Sequence, residues 1–320
     1  MRATPPGHYS EGGVPEPSNA RFSMAVIDRI LAPNTAFQAR FFFLARRFIA
    51  GETIESALGA VREVNAAGLT ATLDFLGEDV TDMREAERTR DTYLAMLAAI
   101  ERSHARANVS VKLSALGLLA SENSCAQLLD DIVARAAHVP DPFVRIDMEG
   151  SALTEATLGV FERTFAKYAN VGPVLQAYLK RSPADVERAI ALGARVRLCK
   201  GAYAEPDTLA LQDMPSIRRA YLRMAEALLS RGVYPGIATH DERIIEACKA
   251  YASERGIARE RFEFQLLYGV RPDLQRRLAR EGYAVRIYIP FGTHWAGYFY
   301  RRITERKENA LFALRSLVSR

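Results

Sequence analysis

The chain has 320 residues, 49% of them hydrophobic and 25% charged, with a formal net charge of +5. These are the proportions of a globular protein with room for two domains or one large barrel. No apolar run reaches the ~20 residues needed to span a bilayer, which excludes a transmembrane protein. The most apolar short stretch, Phe41 to Ala45, is flanked by arginines.

Residues 1–19 are rich in Pro, Gly and Ser and lack an apolar h-region, so they read as a disordered tail and not as a secretory signal. Three helix-like segments follow, at 21–31, 34–50 and 53–67, the last ending at Gly68; residues 20–68 are expected to form N-terminal helices. From residue 69 to 320 short β-branched runs alternate with segments of helical period. The runs are 70–76, 108–113, 143–148, 174–179, 195–200, 235–240, 262–267 and 284–289. Thr81 is the expected cap of the helix after the first run, and Ser182 with Pro183 the expected opening of the helix after the fourth.

Eight βα pairs in about 250 residues are the size of a closed (βα)₈ TIM barrel, an α/β fold. An open doubly wound sheet competes, but no GxGxxG follows any run. Barrel chemistry sits at the C-terminal ends of the strands. Reading those ends gives Glu78; Lys112; Asp147 and Glu149; Gln176 and Tyr178; Arg197, Lys200, Gly201, Ala202 and Tyr203; Thr239, His240 and Asp241; Gln265 and Tyr268; Arg286 and Tyr288. One polar group inside an apolar strand is ordinarily a satisfied structural one. Polar groups at nearly every strand end imply a single convergent polar site.

That site is basic. Lys112, Arg197 and Lys200 are expected to point inward. Tyr298, Arg301, Arg302 and Glu305 fall at i, i+3, i+4 and i+7 on a last helix, a face suited to reading an anion by guanidinium forks. The competing reading of this face is a solvated surface. A lysine at a barrel strand end also suits a Schiff-base lyase or aldolase, through Lys112 or Lys200. A third class, a basic protein binding nucleic acid or membrane, is allowed by the charge alone. Cys125, Cys199 and Cys248 lie far apart without CxxC spacing and read as packing residues in a reducing cytosol. The five histidines show no HExxH pair, and no metal site is expected.

Several runs resemble the strand motifs of proline dehydrogenases: Val109–Leu116 (VSVKLSAL), Arg145–Glu149 (RIDME), Val196–Tyr203 (VRLCKGAY), Ala238–His240, Phe262–Gly269 (FEFQLLYG), Val285–Gly292 (VRIYIPFG) and Tyr298–Arg306 (YFYRRITER). The resemblance runs in order from about Phe22 to the C-terminus and is that of the monofunctional bacterial enzymes. It implies a distorted (βα)₈ barrel with non-covalent FAD. The implied reaction oxidises L-proline to Δ1-pyrroline-5-carboxylate and passes electrons to a membrane quinone, the first step of proline degradation to glutamate.

Motif by motif, Lys112 and Asp147 would line the proline pocket, Arg301 and Arg302 would grip the carboxylate, and Tyr203, Tyr288 and Tyr298 would pack around the ring. Met148, Gln176, Arg197, Lys200, Gly201, Ala202, Thr239 and His240 would hold the flavin. Asp147 and Arg197 are the expected catalytic residues, Arg197 tuning the flavin. Glu78 and Arg301 would pair as a gate. Asp241 stands where relatives often carry Asn, and Cys199 where Val is more usual. The implied partners are proline, the quinone and, by hand-off, pyrroline-5-carboxylate dehydrogenase; no nucleic acid is expected. The implied location is cytoplasmic, with peripheral contact at the inner face of the cell membrane left open.

Overall fold

The computed structural model describes residues 45–304, apart from the side chains of Tyr300, Arg301, Ile303 and Thr304. The expected tail at 1–19 and the segment 21–31 lie outside the described residues, as do Glu305 and all of 34–50 except its last six positions, of which 46–48 form a turn.

Helix α1 (Ile54–Ala66) opens on a reciprocal cap, the Thr53 hydroxyl accepting from the Ser56 amide while the Ser56 hydroxyl accepts from the Thr53 amide. It packs on β1 (Thr70–Phe75) and β8 (Ala284–Phe291). Between these, α2 (Met83–Ser103), β2 (Ala107–Val111), α3 (Glu122–Ala136), β3 (Val144–Ile146) and α4 (Thr154–Phe165) follow. Next come β4 (Val171–Gln176), α5 (Ser182–Ala191), β5 (Arg197–Cys199), α6 (Met214–Arg231), β6 (Gly236–Ala238), α7 (Glu242–Glu254), β7 (Glu263–Leu267) and α8 (Pro272–Arg280). Helix α9 (Ala296–Thr304) leaves the last strand.

All eight strands are parallel and hydrogen-bonded in chain order, and β8 closes on β1 with Thr70 opposite Arg286 and Phe75 opposite Phe291. The fold is therefore the expected (βα)₈ barrel. Its main core lies outside the sheet, where Leu73, Val109, Val111, Ile146, Leu198, Phe264 and Ile287 meet helix residues such as Tyr93, Leu97, Leu129, Phe161 and Tyr221. Burying each large side chain contributes about 1.5–3 kcal/mol. Cys125 and Cys248 sit in this layer, where burial pushes both thiols up to about 12 and leaves them as packing groups.

Several local expectations are corrected. The fourth strand is Val171–Gln176, three residues earlier than the expected run, so Tyr178 and Leu179 lie beyond it. Strands β3, β5 and β6 hold only three residues each in the sheet, because only their overlapping segments find a ladder partner. Asp82, not Thr81, caps α2, its carboxylate accepting from the Arg84 amide at 2.9 Å. Ser182 does not cap α5; its hydroxyl donates to the Gln176 carbonyl at 2.6 Å, and the helix starts from Arg181 with no side-chain cap.

The barrel interior is polar. At its N-terminal end Arg286 donates to Glu263 at 2.8 Å and to Asp141 at 2.7 Å, while Asn108 donates to Asp141 at 3.1 Å. Arg286 was expected at the mouth with the other strand-end groups; its position opposite Thr70 places it at the opposite end, as part of a structural plug.

Candidate active site at the barrel mouth

Period-two alternation aims Ser110 and Lys112 from β2 and its exit, Arg197 from β5, Gln265 from β7 and Tyr288 from β8 into the barrel. Asp147, just past β3, is the common acceptor of Ser110, Arg197 and Tyr288. Its Oδ1 accepts from Arg197 at 2.8 Å and from the Ser110 hydroxyl at 2.6 Å; its Oδ2 accepts from the Tyr288 hydroxyl at 2.7 Å. Lys112 Nζ is 3.8 Å from the same Oδ2. Arg197 also donates from Nε to Gln265, whose amide donates in turn to Glu263 at 2.6 Å, and its guanidinium lies 5.3 Å from the centre of the Tyr288 ring. The site is thus braced from the plug below.

Asp74 completes the cluster and was missed in the sequence. It is fully buried on β1 and takes both oxygens to Lys112 Nζ, at 2.8 and 2.9 Å. The signal was present: Thr70, Thr72 and Asp74 alternate with apolar residues and share the inward face. Burial raises Asp74 above its ordinary value, and Asp147 adds to this against the pull of Lys112. Burial opposes the charge on Lys112 too, but Asp74, Asp147 and Glu78 together push Lys112 above its usual range. It is held as an ammonium.

The β5 exit forms a second group. Gly201 adopts φ +109, and a Cβ there would lie 2.2 Å from the Tyr178 ring, so only glycine fits this turn. Lys200 does not join the buried cluster: its side chain is 29% exposed and sits 3.6 Å from Asp241. Burial pushes Asp241 up, but the hydrogen bond from Arg218 and the charge of Lys200 outweigh it and hold the carboxyl low. Asp241 also caps α7. His240 Nε2 accepts from the Leu267 amide at 3.1 Å, which fixes the proton on Nδ1. Thr239 is buried, with its hydroxyl accepting from the Asp241 amide; Gln176 is buried and donates to the Glu149 carbonyl at 2.8 Å; Met148 is buried at the β3 exit, between Asp147 and Glu149 in the chain. Ala202 is exposed and Tyr203 half-buried.

On α9, Tyr298 and Arg302 are buried, with the Arg302 guanidinium 5.1 Å from the centre of the Tyr298 ring. The Arg301 side chain lies outside the described residues, so the expected Glu78–Arg301 pair does too. Glu78 is half-buried, and its charge is felt by both Lys112 and Glu149. A cavity of about 490 Å³ opens beside it, lined in part by Phe75, Leu76, Val80, His294 and Tyr298. Among the described residues no group of His, Cys, Asp and Glu is arranged to hold a metal ion.

The sequence profile of the proline dehydrogenase family matches residues 57–315. Proline dehydrogenase 1 of Bacillus subtilis is 38% identical over 276 residues, covering 86% of this chain and 91% of that protein. Proline dehydrogenase of Deinococcus radiodurans is 39% identical over 280 residues, covering 86% and 90%. Among solved structures, proline utilization A of Bdellovibrio bacteriovorus, inactivated by N-propargylglycine, superposes with a TM-score of 0.76 at 27% identity. That match covers 83% of this chain and 33% of the longer one. With the barrel and its motifs in the same order, the chain belongs to the proline dehydrogenase family.

Proposed function

We propose that the protein oxidises L-proline to Δ1-pyrroline-5-carboxylate with bound FAD, the electrons leaving to a quinone. The observation that carries this reading is the Lys112–Asp147–Arg197–Tyr288 cluster, a buried polar constellation at the mouth of a family barrel. The residues present fit a flavin. Arg197, the rim cation Lys200 and the side-chain-free turn at Gly201 offer donors to an anionic or acceptor-rich group, and His240 offers its Nδ1–H. Gln176, Thr239, Met148 and Ala202 complete the proposed cradle.

A bound flavin supplies the two-electron acceptor for a hydride. The chain's own residues supply position and charge. Arg301 and Arg302 are the proposed readers of the proline carboxylate, and Tyr203, Tyr288 and Tyr298 the walls that orient the ring. Asp147 ties Tyr288 and Arg197 to one point, so the ring wall and the flavin-facing guanidinium cannot move independently. Lys112 keeps a fixed positive charge beside the substrate carboxylate. The same fixed charge is unsuited to forming an imine, which requires a neutral amine, and this weighs against a Lys112 Schiff-base lyase.

Among the described residues no helix is long and apolar enough to cross a membrane. In this proposal transfer to a membrane quinone is made by peripheral contact from the cytoplasmic side. Hand-off of the product to pyrroline-5-carboxylate dehydrogenase fits the likeness to the longer proline utilization chain. Purification followed by heat release and chromatography of the chromophore tests the cofactor: one FAD per chain is expected. Folded protein that stays colourless after incubation with FAD would refute the assignment.

A further inference from the structure

We propose that Ser114 is the positioning residue that aims Glu78 at the barrel mouth. The proposal rests on the reading of Glu78 as a residue that closes the proline site. Ser114 follows β2 at the start of a single 3₁₀ turn, Ser114–Leu116, and is fully buried. Every polar group it owns is committed. Its amide donates to Glu149 Oε1 at 3.0 Å, and its hydroxyl donates to Glu149 Oε2. The hydroxyl oxygen accepts from the Asp79 amide at 3.1 Å, and its carbonyl accepts from the Val80 amide at 3.1 Å.

One small side chain therefore ties the loop after β1 to the exit of β3. Glu149 continues the tie, because its own carbonyl accepts from Gln176 at the end of β4. The loop needs the tie. Asp79 has φ +59, a left-handed conformation that aspartate adopts more readily than most residues but at a cost glycine avoids, so hydrogen bonds from its surroundings help to hold it. Two successive amides, those of Asp79 and Val80, are anchored on Ser114, and Glu78 precedes them directly. Glu78 lines the cavity that Leu76, His294 and Tyr298 also line, so the imposed conformation keeps it at the barrel mouth. Without the Ser114 hydroxyl, Asp79 loses its restraint and Glu78 loses its aim.

The test uses the FAD-loaded full chain with Glu78→Ala, Ser114→Ala, their double variant and Asp79→Gly/Ser114→Ala. Misplacing a closing residue can cost up to two orders of magnitude, so Ser114→Ala is expected to raise the KM for L-proline about ten-fold with flavin content little changed, while the lost hydrogen bond to buried Glu149 lowers the melting temperature. The double variant with Glu78→Ala should be no worse than Glu78→Ala alone. Glycine accepts positive φ without cost, so Asp79→Gly should restore part of the lost KM in the Ser114→Ala background. A mere packing defect at Ser114 would not be restored that way. If the alanine variant does not fold, Ser114→Cys keeps the shape with a weak donor and should give an intermediate KM. A raised KM in Glu78→Ala with none in the folded Ser114 variant overturns the role of Ser114 alone, and so do multiplicative effects. An unchanged KM in Glu78→Ala overturns the closing role itself, and this proposal with it.

Discussion

Lys112 and Asp74 face each other across β2 and β1 in a two-pronged ion pair, with Nζ 2.8 and 2.9 Å from the two carboxylate oxygens and both side chains buried. Neither group has water to fall back on, so each is charged because the other is. Lys112 is in this way a permanent cation at the mouth, and Asp74 the group that makes it one.

Replacing Lys112 by Met isolates Asp74. The variant is expected to lose about 3–5 kcal/mol of stability at neutral pH, the range for breaking a buried pair. Its pH dependence follows from sign. The folded value of Asp74 is already raised by burial, and Lys112 is what pulls it down. Without Lys112 it rises further, so stability is present at low pH and is lost as pH rises through that value. Melting temperatures from pH 5 to 8 should fall more steeply in Lys112→Met than in the wild type; parallel curves would contradict the pairing.

The plug below the site separates structure from catalysis. Burial pushes Glu263 up, but Arg286, Gln265 and Arg195 outweigh it and hold it below its ordinary value. It thus contributes stability above the unfolded value that disappears as pH falls through the folded one. Arg286→Met should destabilise the protein by about 3–5 kcal/mol and remove this acid-side loss, while the KM for proline changes only slightly, through the Glu263–Gln265–Arg197 chain. Chemical denaturation paired with steady-state kinetics checks it; a changed KM with normal stability would place Arg286 in the site after all.

Asp147→Asn keeps the shape of the acceptor hub but puts an amide where an anion receives Arg197 and Tyr288. Hydrogen bonds to charged groups contribute about 1.5–3 kcal/mol, so flavin reduction by proline should slow by one to two orders of magnitude at saturating substrate, roughly the matching rate loss. The flavin spectrum should shift as well, since Arg197 loses its charge partner. An Asp147→Asn protein with normal reduction kinetics would remove Asp147 from the catalytic role.

The proposed gate predicts non-additivity. Glu78→Ala should weaken proline binding, and Arg301→Ala should cost more, because a carboxylate contact is lost with it. The double variant should cost less than the sum. Single-turnover flavin reduction in the three variants decides this, and strict additivity would reduce the pair to a surface ion pair of about 0–1 kcal/mol.

The barrel was legible because eight β-branched runs spaced by helical period admit few alternatives, and Lys112, Asp147 and Arg197 because they fall at or near the C-terminal strand ends, where barrel sites are built. Asp74 was hidden by its own ordinariness: one acid in TATLDF reads as a strand end until Lys112 is seen beside it. Arg286 misled in the opposite sense. Its strand is long, and only the register against β1 says at which end of the barrel it points. Ser114 carried no signal at all, since its importance lies in which backbone amides converge on it from a loop 35 residues away.

Anaerobic addition of L-proline to the FAD-loaded protein is the most direct measurement of the central claim. The oxidised-flavin absorbance should bleach with saturable dependence on proline, and D-proline or pyrrolidine should act far more weakly because the carboxylate must be read in one orientation. A flavin that dithionite bleaches but saturating L-proline leaves oxidised would contradict it.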